Sequence, residues 1–223
     1  MSRPYKVVIF DFGGVLMLVD DYVSLWTETE NRLSLPRGTI RKVLHAMLKE
    51  VPGIDRRLFE GHVSAEEIEE ELLPRFLSEK LGVPFPRPFR AVQAWMGNSV
   101  QYHKSMISAV KRLRQLGYKT VIMTNNCNLD RNGLMERTPI DRSLFDAIYE
   151  SAAEGMMKPD LRFYQRLQED LGVHPQECVF LDDLVENVDK GNEFGWKSIL
   201  VDPDNVDNAV RQLEELLHED LRI

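Results

Sequence analysis

The chain has 223 residues, 43% of them hydrophobic, with 36 acidic against 28 basic side chains and a net charge of -8. Such a chain can fill the core of one domain with a large insertion or of two modest ones, and without a long Lys/Arg run its acidic balance argues against nucleic-acid backbones and anionic membranes as partners. Cys127 and Cys178 are too few for a disulfide framework and lack metal-ligand spacing; no apolar run approaches the ~18 residues of a membrane span, and MSRPYK lacks a signal-peptide pattern, so the expected setting is cytoplasmic.

The first predicted element is a buried strand at 6–10, leading into the motif of VVIFDFGGVLM, residues 7–17. More than 100 residues separate it from the next strand, far beyond an ordinary crossover, so an insertion is implied. From about 17 to 102 the pattern is helical: DDYVSLWTETENRL, PRGTIRKVLHAMLKE, SAEEIEEELLPRFLSEKLG and PRPFRAVQAWMGNSVQYH. Pro36 and Ser64 read as helix starts, GVPFPRP as a stiff break, and EEIEEEL as a solvated helix face. A helix at about 104–116 leads to a strand at 119–123, and another strand follows at 147–150. Next come a helix at 160–171, a strand at 178–181, a helix at 186–194, a strand at 198–201 and a helix at 205–217. Gly117, Gly172 and Gly195 stand where helices should stop. Continuously apolar strands alternating with helices predict an α/β fold, with a parallel sheet covered on both faces.

In such a sheet, ligands bind beyond the carboxyl ends of the strands. The first strand ends in Asp11, the second in Thr124 and Asn125, and the fourth in Asp182 and Asp183; Lys158 falls in GMMKPD, just before a helix. Phosphoryl transfer needs such a set: an attacking carboxylate, a hydroxyl and amide for the oxygens, a cation against charge, and further carboxylates for Mg²⁺. Adjacent acids after a buried strand are costly without a cation. The five histidines are scattered without ligand spacing, so zinc is not expected.

Taken together, FDFGGVL, MTNN, MKPD and FLDD followed by Asn187 resemble the haloacid dehalogenase (HAD) superfamily. Within it, VVIFDFGGVL, TVIMTNN, EGMMKPDLRFYQ and CVFLDDLVEN are similar to the phosphatase domains of the soluble epoxide hydrolase group. The resemblance implies a Rossmann-like core at 1–16 and 103–223 with a helical cap inserted at 17–102. It implies a Mg²⁺-dependent phosphatase acting on a small phosphomonoester through an aspartyl phosphate on Asp11. Thr124, Asn125 and Lys158 would bind phosphate, Thr124 and Lys158 also serving catalysis. Asp11, the Gly13 carbonyl, Asp183 and Asp182 would hold the metal, with Asn187 in support. The departure is Gly13, where family phosphatases usually carry the aspartate that protonates the leaving oxygen and activates water. Two alternatives are a non-catalytic phosphate-binding or scaffold protein and, with less support from the Asp182–Asp183 pair, a haloacid dehalogenase. His62 in the insertion is a candidate substitute proton donor, against a plain surface histidine. The physiological substrate and the oligomeric state stay open.

Overall fold

The computed structural model describes residues 3–19, 24–97 and 100–222. The chain begins with β1 (Val7–Phe10), then runs through α1 (Ser24–Arg32), α2 (Thr39–Glu50), α3 (Ile54–Phe59), α4 (Ala65–Glu70), α5 (Leu72–Leu81) and α6 (Ala91–Gly97). It continues with α7 (Lys104–Gln115), β2 (Lys119–Thr124), β3 (Ala147–Glu150), α8 (Ser151–Glu154) and α9 (Leu161–Leu171), and closes with β4 (Cys178–Asp182), α10 (Val185–Phe194), β5 (Lys197–Leu200) and α11 (Val206–Leu217). Its contacts divide into two compact units, one of residues 1–19, 101–125 and 138–223, the other of residues 20–100 and 126–137.

The first unit is an α/β domain whose five parallel strands lie in the order β3-β2-β1-β4-β5. Apolar β-branched and aromatic residues bury β1, β4 and all of β2 after Lys119, as a parallel sheet between helices requires, while the edge strands β3 and β5 are only partly buried, Lys197 and Leu200 of β5 being exposed. On one face Val7, Ile9, Val121, Met123 and Phe180 pack with Phe163, Tyr164 and Leu167 of α9 and with Trp196. The alternate residues Val8, Phe10, Ile122, Val179 and Leu181 are equally buried, and Met106, Ala109, Val110 and Leu113 of α7 are buried as well. The predicted strands and the four helices between them stand within one or two residues of their expected bounds. Gly172 and Gly195 close α9 and α10 in the left-handed conformation, where glycine is free of a Cβ clash.

The second unit is helical, around Trp26, Ile40, Met47, Leu58, Ile68, Leu73, Leu77 and Phe89. Its helix starts differ from expectation at Pro36. There α2 begins only at Thr39, after Gly38 at φ 80°, and its N-terminal N–H groups are met from α1, where the Glu30 carboxylate accepts from Gly38 at 3.1 Å and Ile40 at 2.8 Å. Ser64 does start α4, in a reciprocal cap with Glu67. The single stretch expected at SAEEIEEELLPRFLSEKL is two helices broken at Glu71, and IDRRLF forms a short helix that the sequence pattern did not indicate. EEIEEEL is not wholly a solvated face, because Glu69 is completely buried. Residues 126–137 join this unit because the carbonyls of Asn128 and Leu129 accept from the Ala65 and Glu66 N–H groups at the start of α4. Among the described residues no helix is long and apolar enough to cross a membrane.

Candidate active site

β1 is the central strand, between β2 and β4, so the three strands whose ends carry the predicted side chains are neighbours. The register pairs Phe10 with Ile122 on one side and with Leu181 on the other, and the Asp11 N–H continues the ladder to the Leu181 carbonyl at 2.8 Å. Asp11 therefore stands beside Met123 and Asp182, at the carboxyl ends of the strands where the strand order reverses between β1 and β4.

Lys158 reaches this edge from the loop between α8 and α9, with only 1% of its surface exposed. Its ammonium contacts the Asp182 Oδ2 at 2.6 Å, the Met123 carbonyl at 2.8 Å and the Asp11 Oδ1 at 2.9 Å. Three acceptors match the three protons of an ammonium. Asp11 Oδ1 also accepts from the Phe12 N–H at 2.7 Å, so two donors pin one oxygen of the proposed nucleophile. Asp182 has both oxygens occupied, Oδ2 by Lys158 and Oδ1 by the Leu184 N–H and Asn187 Nδ2, each at 2.9 Å. Asn187 lies in the first turns of α10, and its carbonyl accepts from the Tyr164 hydroxyl at 3.0 Å.

Asp183 turns its carboxylate toward the backbone of Gly14. A Cβ on Gly14 would lie 2.5 Å from Asp183 Oδ2, and φ there is +75°, so both the approach and the backbone conformation require glycine. Gly13 is different. Among the described residues, a Cβ there would meet only Val19 Cγ2, at 3.9 Å. Thr124 ends β2 with 3% exposure, and its hydroxyl makes no hydrogen bond to the other site residues. Asn125 binds the main chain of Lys158 through both ends of its amide, donating from Nδ2 to the carbonyl at 2.9 Å and accepting on Oδ1 from the N–H at 2.8 Å.

The sequence thus pointed to Asp11, Lys158, Asp182, Asp183 and Asn187, which meet here, and missed four backbone contributions: the Met123 carbonyl, the Phe12 and Leu184 N–H groups and the bare backbone of Gly14. Only the last had a signal, in the doubled glycine after Phe12. His62, in the helical unit, is exposed and lies 3.5 Å from Glu60. Cys127 is buried in that unit, and burial pushes its thiol up to about 12, which leaves an inert small hydrophobe.

Charge dominates the site. Asp11, Asp182 and Asp183 each offer an oxygen within 4.8 Å of the others, against one ammonium. Burial pushes Asp11 up to about 7 despite the opposing pull of Lys158, with Asp182 adding to the rise. Burial likewise pushes Asp183 up to about 6, with Asp182 again adding. For Lys158, burial works against the charged form, but Asp11 and Asp182 outweigh it and hold the ammonium above its ordinary range. A buried cluster with surplus negative charge and only oxygen donors suits a hard divalent cation such as Mg²⁺.

A family model described as haloacid dehalogenase-like hydrolase matches residues 5–195. Mouse acyl-CoA dehydrogenase family member 10 is 35% identical over 97% of the chain, which spans 19% of that protein's length. Sesquiterpene phosphatase astK of Aspergillus oryzae is 30% identical, covering 84% of the chain and 85% of its own length. In fold, the chain matches a HAD-family enzyme of Bacteroides thetaiotaomicron, solved in complex with magnesium and inorganic phosphate, at TM-score 0.63 and 20% identity over 89% of this chain and 95% of that one.

Proposed function

Since the chain belongs to the haloacid dehalogenase-like hydrolase family, we propose that this hydrolase is a Mg²⁺-dependent phosphatase that cleaves a small phosphomonoester through an aspartyl phosphate on Asp11. The observation that carries the reading is the convergence of Asp11, Asp182, Asp183 and Lys158, a surplus of hard oxygen donors around one fixed cationic side chain. Phosphatase relatives and a fold neighbour holding magnesium and phosphate support it.

Asp11 is the nucleophile. With Oδ1 held by Lys158 and the Phe12 N–H, the other oxygen is the one to attack phosphorus. The new O–P bond forms as the ester P–O bond breaks, and the departing oxygen takes its proton from solvent, since Gly13 offers no carboxyl. Water then attacks the phosphorus of the acyl phosphate, releasing inorganic phosphate and returning the carboxylate. Lys158 opposes the effect of burial on Asp11 by favouring its ionised form, orients it before attack and offsets charge on the transferring group through space. Thr124, at the end of β2, would receive a phosphoryl oxygen through its hydroxyl. Mg²⁺, held by Asp11, Asp183 and the Gly13 carbonyl with Asp182 behind them, would neutralise phosphoryl charge. Asn187 orients Asp182.

A general acid is worth about 10² to 10⁴ in rate, so its loss leaves most of a charge-stabilised phosphoryl transfer intact and biases the enzyme toward leaving groups that depart without protonation. The test is release of an aryl alcohol from an aryl phosphate with Mg²⁺ and with chelator, beside Asp11→Asn. Magnesium-dependent release that vanishes in the variant is expected. No release above the variant's background would instead support a phosphate-binding protein whose turnover was lost with the carboxyl at position 13.

A further inference from the structure

We propose that Asn125 is a positioning residue, whose side chain acts on the reaction by fixing the main chain of Lys158 rather than by touching phosphate. The inference rests on the phosphatase reading above and assigns Asn125 a duty different from that of a phosphate ligand.

Lys158 lies between α8 and α9, outside every helix and strand, so no ladder supplies partners for its peptide groups. Asn125 supplies both. Its Nδ2 donates to the Lys158 carbonyl at 2.9 Å and its Oδ1 accepts from the Lys158 N–H at 2.8 Å, a closed two-bond pairing like that between two peptide units. With the amide engaged at both ends, its orientation is set by the Lys158 peptide groups, and rotating it would break one or both bonds and leave a partly buried peptide group unpaired.

The pairing matters because the tip of Lys158 has no slack. All three ammonium protons are committed, to Met123, Asp182 and Asp11, at 2.6–2.9 Å. A hydrogen bond of this kind fails within a few tenths of an ångström, so a drift of the loop backbone trades away the contact that holds Asp11. Asn125 follows Thr124 directly at the end of β2. The strand end that presents the hydroxyl therefore also anchors the loop that presents the cation, which places both on one rigid support.

The test uses three variants, Asn125→Ala, Lys158→Ala and the double variant, with steady-state kinetics on an aryl phosphate and an NMR signal of the Lys158 side-chain ammonium in the full chain. Asn125→Ala should lower kcat by about 10- to 100-fold, the equivalent of two lost hydrogen bonds, and leave KM within about twofold. In the Lys158→Ala background the same change should cost less than about twofold, because the residue through which Asn125 acts is gone. The buried, triply bonded ammonium should give a slowly exchanging signal in the wild type that shifts or broadens in Asn125→Ala. A raised KM with kcat intact, equal losses in both backgrounds, or an unchanged ammonium signal would each overturn the proposal. Absence of turnover in the wild type, with the ammonium signal still sensitive to Asn125, would overturn the phosphatase reading and leave the clamp standing. Should Asn125→Ala fail to fold, Asn125→Asp is read in its place, since it keeps the acceptor for the Lys158 N–H while setting a carboxylate oxygen against the Lys158 carbonyl in place of the donor; a displacement of the same signal is expected, and none would count against the clamp.

Discussion

Two adjacent glycines in the first motif have opposite tolerances. Among the described residues, a Cβ at Gly13 would have van der Waals room, its nearest neighbour being Val19 Cγ2 at 3.9 Å, whereas one at Gly14 would collide with the Asp183 carboxylate at 2.5 Å. Gly13→Asp should therefore fold, and by restoring a proton donor should raise kcat on alkyl phosphates by about 10²-fold or more while changing activated aryl phosphates little. Comparing the slopes of log kcat against leaving-group pKa for the two proteins checks this; parallel slopes would mean that the new carboxyl does not act. Gly14→Ala should displace Asp183 and lower affinity for Mg²⁺ by at least about tenfold, measured by titrating activity with the metal, since a non-glycine residue at φ +75° costs about 1 kcal/mol or more before the clash is counted. The sequence marked Gly13 as a departure from the pattern, but the need for glycine at position 14 came from contact with a residue 169 positions away.

Among the elements, α4 shows what periodicity can and cannot reveal. Its start was legible, because Ser64 and Glu67 stand at the spacing of a reciprocal cap, and Ser64→Ala should cost about 1 kcal/mol, read as a lower denaturation midpoint with an unchanged slope. Its charge pattern misled. Glu69, inside EEIEEEL, is fully buried and accepts from the Val92 and Gln93 N–H groups at the start of α6, so it caps a different helix from the one that carries it. Among the described residues its Oε2 has no hydrogen-bond partner. Burial pushes this carboxyl up to about 7 from 4.5, against the pull of those N–H groups and of Arg90. The folded state thus binds the proton more tightly than the unfolded one, so stability from Glu69 is fully present below about pH 4.5 and is lost as pH rises through about 7. Glu69→Gln should remove that part of the decline, so the difference in Tm between variant and wild type should shift in the variant's favour between pH 5 and pH 8, by the order of a few degrees. A difference independent of pH would show that Glu69 is ionised throughout. The cap of α2 by Glu30 of α1 is the same lesson: both carboxylates serve helices that the local sequence does not contain.

For the whole molecule, the expected cation should act as a ligand of the native state. Binding only to the folded chain stabilises it by mass action, about 2.7 kcal/mol at 100 times Kd, so millimolar Mg²⁺ should raise the Tm of the wild type and chelator should reverse the rise. Asp183→Asn should abolish the shift without loss of the fold, because Asp183 is not part of the ion pairs that bind Lys158 to Asp11 and Asp182. An equal shift in both proteins would place the ion elsewhere. This experiment is independent of substrate, whose chemistry nothing in the sequence specifies.

Much of the protein follows from its sequence without coordinates: five short apolar runs alternating with helices read as parallel strands, the glycines after α9 and α10 as helix stops, and the acids stood where such strands end, with the lysine just before a helix. Local chemistry suffices there, since a strand's burial and a helix's stop are settled by the residues that form them. Tertiary structure alone decided which strands are neighbours, that residues 126–137 belong with the helical unit, that Asp182 is consumed by Lys158 and Asn187 while Asp183 faces Gly14, and that Asn125 grips a backbone 33 residues away. Those facts depend on hydrogen-bond partners brought together across the chain, and a buried polar group takes whichever partner the folded backbone delivers to it, at any separation in sequence.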